Sequence, residues 1–127
     1  MMATISDIIS ANTIFTKILS SEFTAKQSYI IAKLLKNINE EMESFNNARE
    51  ELIIKYAEKD ENGEVIITEG NAKIETEHLV DFQNELNDLL YLEIELKGNK
   101  IPFEWLEKLT LTPQEILILE PFLNMED

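Results

Sequence analysis

Several residue types that enzymes rely on are missing or rare in this sequence. Its 127 residues include no cysteine, three glycines, one arginine and one histidine. Without cysteine there is neither a disulfide framework nor a thiolate nucleophile. Three glycines are too few for a glycine-rich phosphate-binding loop, and no Gly-x-Ser-x-Gly motif is present. We therefore predict a protein that is not an enzyme and has no cofactor, metal centre or catalytic residue.

Long apolar runs are also missing. No stretch approaches the roughly 20 apolar residues of a transmembrane helix. The first nine residues, MMATISDII, lack the basic segment and the apolar core of a signal peptide. We predict a soluble protein that does not enter a membrane and is located in the cytoplasm.

Positive charge is scarce and unevenly distributed. The formal net charge is −14, from 25 acidic and 11 basic residues. Residues 1–36 carry +2, whereas the remainder carries −16. A field of this sign repels nucleic-acid phosphates, so we predict no direct nucleic-acid binding and favour a basic protein surface as the partner. The alternative is that the acidity only maintains solubility.

The longest helical pattern runs from Thr24 to Ala57 without glycine or proline. Thr24 and Gln27 have the spacing of a capping box, which predicts the start of the helix. Apolar residues then follow in alternating steps of three and four, typical of a coiled-coil-like stripe that Arg49 interrupts. The stripe consists of Ile31, Leu35, Ile38, Met42, Phe45, Leu52 and Tyr56.

Two shorter helices are predicted on either side of the long one. The first spans about residues 6–19, with Ser6 or Thr4 as its cap, and the second spans about residues 76–90, with Thr76 as its cap. Because the first connection is short, we expect both helices to pack antiparallel along the long helix, end to end. The predicted fold class is mainly α: a single domain, residues 1–127, forming an antiparallel helical bundle or hairpin around a long central helix, with a small β element and a short C-terminal helix.

The β element is predicted from two segments. Residues 58–75 form a loop or small hairpin, because Asn62-Gly63 favours a tight turn and residues 65–68 favour a strand. Residues 91–96, YLEIEL, alternate between acidic and apolar side chains as a strand does. In the strand and turn region 91–111, the last three residues are predicted to pair as a second brief strand.

The C-terminal helix is predicted over about residues 113–120. Thr112 and Glu115 form a second capping-box pattern, with Pro113 at the first helical position. The helix is apolar all round and must therefore be buried all round. Either it inserts between the long helix and the strand pair, or another molecule covers one side. On the second interpretation, with a patch that includes a tryptophan, the predicted interaction residues are Ile116, Ile118, Leu119, Phe122 and Trp105.

Residues 58–69 resemble a calcium-binding loop in spacing. Asp60, Asn62, Gly63 and Glu69 match the third, fifth, sixth and twelfth positions of such a loop. However, Glu58 replaces the usual aspartate at the first position, and Gly70-Asn71 follows where a helix should begin. We therefore predict an ordinary turn.

The pair Glu75 and His78 has the spacing of di-iron ligands on one helix face. A di-iron site requires a second such pair, and His78 is the only histidine. With Asp81 and Glu85, His78 is expected to bind at most a stray divalent ion, and a solvated polar face is the preferred interpretation.

The sequence resembles a group of small acidic proteins of unknown function encoded in phages and prophages of Gram-positive bacteria. The resemblance rests on three segments covering most of the chain: the long helix with its acidic exit, residues 25–64; FQNELNDLLYLEIEL, residues 82–96; and LTPQEILILEPFL, residues 111–123. It implies a phage setting, with the cytoplasm being that of the host cell. It implies no catalytic residues.

Two functions are consistent with these features. The first is a small acidic antagonist or modulator that docks on a host protein, such as a defence protein. The second is a phage structural or assembly accessory that acts as a homo-oligomer through the long helix and the C-terminal helix. A third option, a sponge for a small signalling ligand, requires a cavity.

Overall fold

The computed structural model describes residues 1–125. Its contacts define two compact units, and the long helix, Ala25–Tyr56, contributes residues to both. The split unit comprises residues 1–42 and the chain from residue 92 onward, and the continuous unit comprises residues 43–91. The mainly helical fold class with a long helix and small sheets is confirmed, whereas the antiparallel bundle or hairpin and the single domain stay predictions. The described elements are β1 (Met2–Thr4), α1 (Ile5–Leu19), α2 (Ala25–Tyr56), β2 (Ile67–Thr68), β3 (Asn71–Ala72), α3 (Leu79–Leu90), β4 (Glu93–Glu95), β5 (Ile101–Pro102), α4 (Pro113–Leu119) and β6 (Leu123–Asn124).

Helix α2 begins where the sequence predicted. The Thr24 backbone N–H donates to Gln27 Oε1 at 3.2 Å, and the Gln27 N–H donates to Thr24 Oγ1 at 3.2 Å. Five of the seven stripe residues are buried, and Arg49, which interrupts the stripe, is exposed. The stripe prediction omitted two residues of α2 that are also buried, Leu34 and Asn37. Within residues 1–125, no helix combines the length and the apolarity needed to cross a membrane.

The core of the split unit lies where α1 packs against α4. Helix α1 is capped by Thr4, whose Oγ1 accepts from the Asp7 N–H at 3.0 Å while Asp7 Oδ2 accepts from the Thr4 N–H. The rings of Phe15 and Phe122 meet edge to face, with their centroids 5.2 Å apart. All the largest fully buried side chains belong to this unit: Phe122, Ile8, Ile18, Leu34, Ile101 and Leu119.

Two small sheets complete the split unit. The predicted strand in YLEIEL forms as β4, and its antiparallel partner is β1. Strand β5 pairs in parallel with β6. The predicted strand at residues 109–111 is wrong, because the Leu109 N–H donates to the Leu106 carbonyl at 2.9 Å and continues a turn that follows the 3₁₀ helix Phe103–Leu106.

The continuous unit contains the second part of α2, the segment of residues 58–75 with β2 and β3, and α3. The 3₁₀ helix Thr76–His78 precedes α3. Thr76 was predicted as a cap, but it lies inside this first turn, and Glu75 takes the cap position without a side-chain hydrogen bond. The β-bridge between Ala57 and Ile74, and the bond from the Glu75 N–H to the Tyr56 carbonyl, keep the chain extended up to Glu75.

The segment from residue 58 to residue 75 is a hairpin with two turns. The predicted turn at Asn62-Gly63 is present: Gly63 has a φ of 80°, and a bridge joins Lys59 to Val65. The second turn lies between β2 and β3, where Glu69 and Gly70 have φ values of 53° and 82°. Two consecutive left-handed residues are typical of the tight turns that join short antiparallel strands.

Candidate interaction surfaces

The five predicted interaction residues lie in different environments. Leu119 and Phe122 are fully buried in the core of the split unit, so this chain itself covers them. Ile116 and Ile118 on α4 are partly exposed, as is Trp105 in the 3₁₀ helix 103–106. These three keep accessible surface, and their role in an interaction stays a prediction.

Leu117 on α4 was not among the predicted interaction residues, yet its side chain is 67% exposed. A seven-residue helix packed against α1 covers one face of its apolar sequence and leaves another face in solvent. The uniform apolar pattern carried no period that would have shown which residue faces outward. The sequence therefore predicted an apolar helix but not its accessible residue.

Glu115 fixes α4 in two ways. Its backbone N–H donates to Thr112 Oγ1 and its Oε1 accepts from the Thr112 N–H, which completes the predicted capping box. Its Oε2 also lies 2.8 Å from Lys17 Nζ on α1. Hydrogen bonding from Lys17, and then from the Thr112 backbone, lowers the pKa of Glu115 below its usual value. Helix α4 is thus tied to α1 by charge as well as by apolar packing.

Trp105 lines a shallow depression of about 420 Å³ in the split unit. Nearby, Lys108 Nζ lies 4.0 Å from the centroid of the Phe23 ring, the geometry of a cation–π contact. Two of the lining residues are glutamates and one is a lysine, so the lining has a formal charge of −1. Its lining residues are Gln27, Glu104, Trp105, Glu107 and Lys108.

We name residues 58–75 the acidic arm, because they carry six acidic and two basic residues. Asp60 Oδ1 accepts from the backbone N–H groups of Asn62 and Glu64 at 2.8 and 3.0 Å. Glu58 forms a salt bridge with Lys73 at 3.2 Å. Two candidate ligands of the calcium-like loop, Asp60 and Glu58, are therefore already engaged within the hairpin. The two bonds that Asp60 accepts are those of an aspartate-capped turn.

The outer surface of the acidic arm combines charge with an apolar side chain. Glu61, Glu64 and Glu69 are exposed, and none forms a salt bridge within the described residues. Ile67 in β2 is 61% exposed. An exposed branched side chain in the same hairpin as exposed carboxylates provides both an apolar anchor and charged groups for a partner.

A group of possible metal ligands lies just before α3. His78 Nε2 is 3.1 Å from Glu75 Oε2 and 3.9 Å from Glu77 Oε1, and one ligand atom from each residue lies within 4.8 Å of the others. The structure thus brings His78 together with Glu75 and Glu77, whereas Glu85, which we had grouped with His78, pairs with Lys55. Imidazole and carboxylate donors suit a divalent ion, but these side chains are partly or fully exposed and the carboxylates already contact the imidazole.

Lys55, Tyr56 and Glu85 form a second polar cluster, between α2 and α3. Lys55 Nζ lies 3.2 Å from Glu85 Oε1. Hydrogen bonding from Tyr56, and then from Lys55, lowers the pKa of Glu85. The same contacts with Glu85 raise the pKa of Lys55 and of Tyr56. This cluster joins two helices at the surface and has no feature that singles it out for catalysis.

The continuous unit carries much of the negative charge. It has 13 acidic and 4 basic residues, a formal charge of −9. Most of its carboxylates are exposed, so their field reaches solvent. The exposed acidic residues are Glu43, Glu50, Glu51, Asp60, Glu61, Glu64, Glu69, Glu77, Asp81 and Asp88.

Comparisons of the chain with protein-family models, with curated proteins and with solved structures give no match. The chemistry of these surfaces is therefore the basis for a functional proposal. The acidic arm combines four exposed carboxylates with an exposed apolar side chain.

Proposed function

We propose that this protein is a non-enzymatic interaction protein whose acidic arm docks on a basic surface of another protein. The exposed carboxylates of Glu61, Glu64 and Glu69 and the exposed Ile67 in the same hairpin carry this proposal. Complementary charge accelerates encounter and selects the partner, whereas the apolar side chain contributes contact area once the surfaces meet.

The phage resemblance supplies the setting for the proposal. In that setting the partner is a host protein in the cytoplasm, and the chain acts as its antagonist or modulator, with host defence proteins as the first class to test. A basic partner is favoured over nucleic acid because a net charge of −14 repels phosphates over distances up to the Debye length, about 8 Å at physiological salt.

The test compares two triple variants that each remove three charges. Glu61→Gln/Glu64→Gln/Glu69→Gln neutralises the acidic arm, and Glu22→Gln/Glu93→Gln/Glu95→Gln neutralises exposed positions of the split unit. Proteins captured from a host lysate are purified, and their affinities for wild type and both variants are measured at two salt concentrations. We expect the arm variant to bind about tenfold more weakly at low salt and the control variant to bind like wild type.

Two results would reject the arm as the docking surface. One is equal affinity of both triple variants for the purified partner. The other is an affinity that does not change with salt, since surface charges are screened by added ions.

The second candidate function is the homo-oligomeric assembly accessory, and exposed Leu117 favours it. With the partly exposed Ile116 and Ile118, it offers an apolar surface that a second copy of the chain would cover. Light scattering of wild type and Leu117→Asp at low and high salt tests this candidate. If this candidate function is correct, wild type is a multimer at both salt concentrations and Leu117→Asp is a folded monomer. A monomeric wild type would reject the assembly function.

A further inference from the structure

A depression of about 520 Å³ lies along one face of α2 in the split unit. Tyr29, Lys33, Lys36 and Asn37 share this face because they are spaced by three, four, seven and eight residues. Lys97, from the turn after β4, forms the opposite wall. The volume falls within the range of about 300–1,000 Å³ that small-molecule sites occupy.

The wall opposite α2 is held in place by buried contacts. Asn37, which is 6% exposed, accepts a hydrogen bond through Oδ1 from the Lys97 backbone N–H at 2.6 Å. Gly98 has a φ of 110°, and a Cβ at this position would lie 3.4 Å from the Cα of Leu34, which is fully buried. The turn thus approaches the α2 backbone closely, and the backbone of Lys97 is held at the depression that the two helix lysines also line.

The charge of the depression is opposite to that of the protein. Three of its lining residues are lysines and one, Glu40, is acidic. Lys33, Lys36 and Lys97 are exposed, and none forms a salt bridge within residues 1–125. In a chain with only 11 basic residues, this is a local excess of unpaired positive charge at a concave surface.

Asn37 and Tyr29 also line the depression and provide further groups for contact with a ligand. Because the oxygen of Asn37 accepts from Lys97, its amide nitrogen remains as a donor. Tyr29 is 64% exposed, and its ring centroid lies 5.5 Å from Lys33 Nζ. An aromatic surface therefore adjoins the cationic groups.

We propose that this depression binds a small nucleotide. Lys33, Lys36 and Lys97 contact its phosphates as point charges, and the base stacks on Tyr29. Phosphates require the positive charge, and the aromatic ring distinguishes a nucleotide from a simple phosphate. The site is formed by residues of the split unit and does not depend on the acidic arm, so either proposal can fail without the other. It gives the ligand-sponge option a specific cavity.

Calorimetric titration of the full chain with adenosine diphosphate, pyrophosphate and adenosine tests the proposal. We expect one diphosphate per chain, weaker pyrophosphate binding, and no adenosine binding in the same range. Lys36→Ala and Lys97→Ala are each expected to weaken diphosphate binding about fivefold. Lys26→Ala removes an exposed lysine of the same helix outside the depression and is expected to have no effect.

The aromatic contribution is tested separately. Tyr29→Ala is expected to weaken binding of the diphosphate but not of pyrophosphate. In a nuclear magnetic resonance titration, the Asn37 side-chain amide and the Lys97 backbone amide should shift first, because they lie at the wall. All variants change exposed side chains, so unchanged melting curves confirm that they fold.

Three results would overturn the proposal. The first is no binding of adenosine diphosphate at millimolar concentration. The second is binding that Lys36→Ala and Lys97→Ala leave unchanged, which places the ligand elsewhere. The third is equal affinity for pyrophosphate with no effect of Tyr29→Ala, which rejects a nucleotide as the ligand class.

Discussion

The split unit and the continuous unit differ in how completely they bury their large apolar side chains. The split unit contains every large side chain that is fully buried, including Phe122 and Leu34. The continuous unit buries Phe45, Leu52 and Phe82 less completely, at 7%, 8% and 9% exposure. It also carries a charge of −9. The comparison indicates that the split unit supplies most of the stability and that the continuous unit devotes more of its residues to an acidic surface.

Ion pairs replace apolar burial only in part. The continuous unit has salt bridges from Lys55 to Glu85 and from Lys73 to Glu58, and all four side chains are substantially exposed. Solvent screens exposed pairs, so each contributes much less than a well-buried large apolar side chain. The difference in burial should therefore dominate the difference in stability.

The largest expected effect on stability comes from removing one aromatic ring from the core of each unit. Phe122→Ala removes a fully buried ring that packs against Phe15, and we expect a loss of about 3–5 kcal/mol. Phe82→Ala, at the edge of a thinner core, should cost clearly less. Urea unfolding of both variants measures the two losses. Equal losses would mean that the two cores are equivalent.

The next effect concerns the one buried polar side chain in the described core, Asn37. Asn37→Leu leaves the Lys97 backbone N–H without its acceptor, and we expect a loss of about 1–3 kcal/mol. Asn46→Leu on the exposed surface of α2 is the matched control and should change stability by about 0.5 kcal/mol or less. Thermal melting of both variants checks this. Similar melting temperatures would show that the Asn37 bond contributes little.

Helix caps give a smaller effect that distinguishes two similar threonines. Thr112→Ala removes the hydroxyl that accepts from the Glu115 N–H, one of the two bonds of a capping box, and should cost about 1 kcal/mol. Thr76→Ala should be close to neutral, because Thr76 lies inside its turn without capping it. Urea midpoints of the two variants provide the measurement, and a larger loss at Thr76 would contradict the assigned caps.

The smallest effect is the pH dependence of the two tied carboxylates, Glu115 and Glu85. Because the folded protein lowers both pKa values, each contributes stability that is present above the unfolded pKa, about 4.3 for glutamate, and lost as pH falls through the folded pKa. Glu115→Gln and Glu85→Gln should each reduce the drop in melting temperature between pH 7 and pH 3. Glu22→Gln, at an exposed carboxylate that forms no salt bridge within the described residues, serves as the control.

Salt sharpens the contrast between these two carboxylates. Glu115 also bonds to the Thr112 backbone, whereas the lowering of the Glu85 pKa comes from the side chains of Tyr56 and Lys55. Added salt should therefore diminish the contribution of Glu85 more than that of Glu115. A variant pair with the reverse salt dependence would contradict the assigned partners.

Local signals predicted the helices well and long-range pairing poorly. The capping boxes at Thr24 and Thr112 involve partners three residues away, so the sequence pattern contains the whole interaction. The strand in residues 91–96 was predicted from its alternation, but nothing in that pattern specifies that its partner is β1, about 90 residues earlier. The error at residues 109–111 has the same origin, since a brief apolar run does not determine whether a partner strand is available.

The surfaces were predictable to a similar extent. Composition gave the acidity of the arm, and the turn at Asn62-Gly63 gave its hairpin form, but the turn at Glu69-Gly70 was missed. Lys33 and Lys36 are visibly on one helix face in the sequence. That Lys97 joins them depends on a close approach between Gly98 and Leu34, which are far apart in the chain and which no local pattern relates.

The split unit is formed by two segments that are separated in the chain, and this affects how it folds during synthesis. Phe15 leaves the ribosome before its partner Phe122, which is added only after all of residues 43–91. Domains fold as units once their residues are available, so the core of the split unit closes only after the continuous unit has been synthesised. Until then the apolar face of α1 lacks its α4 cover, and the interval is a point at which chaperones have access to the nascent chain.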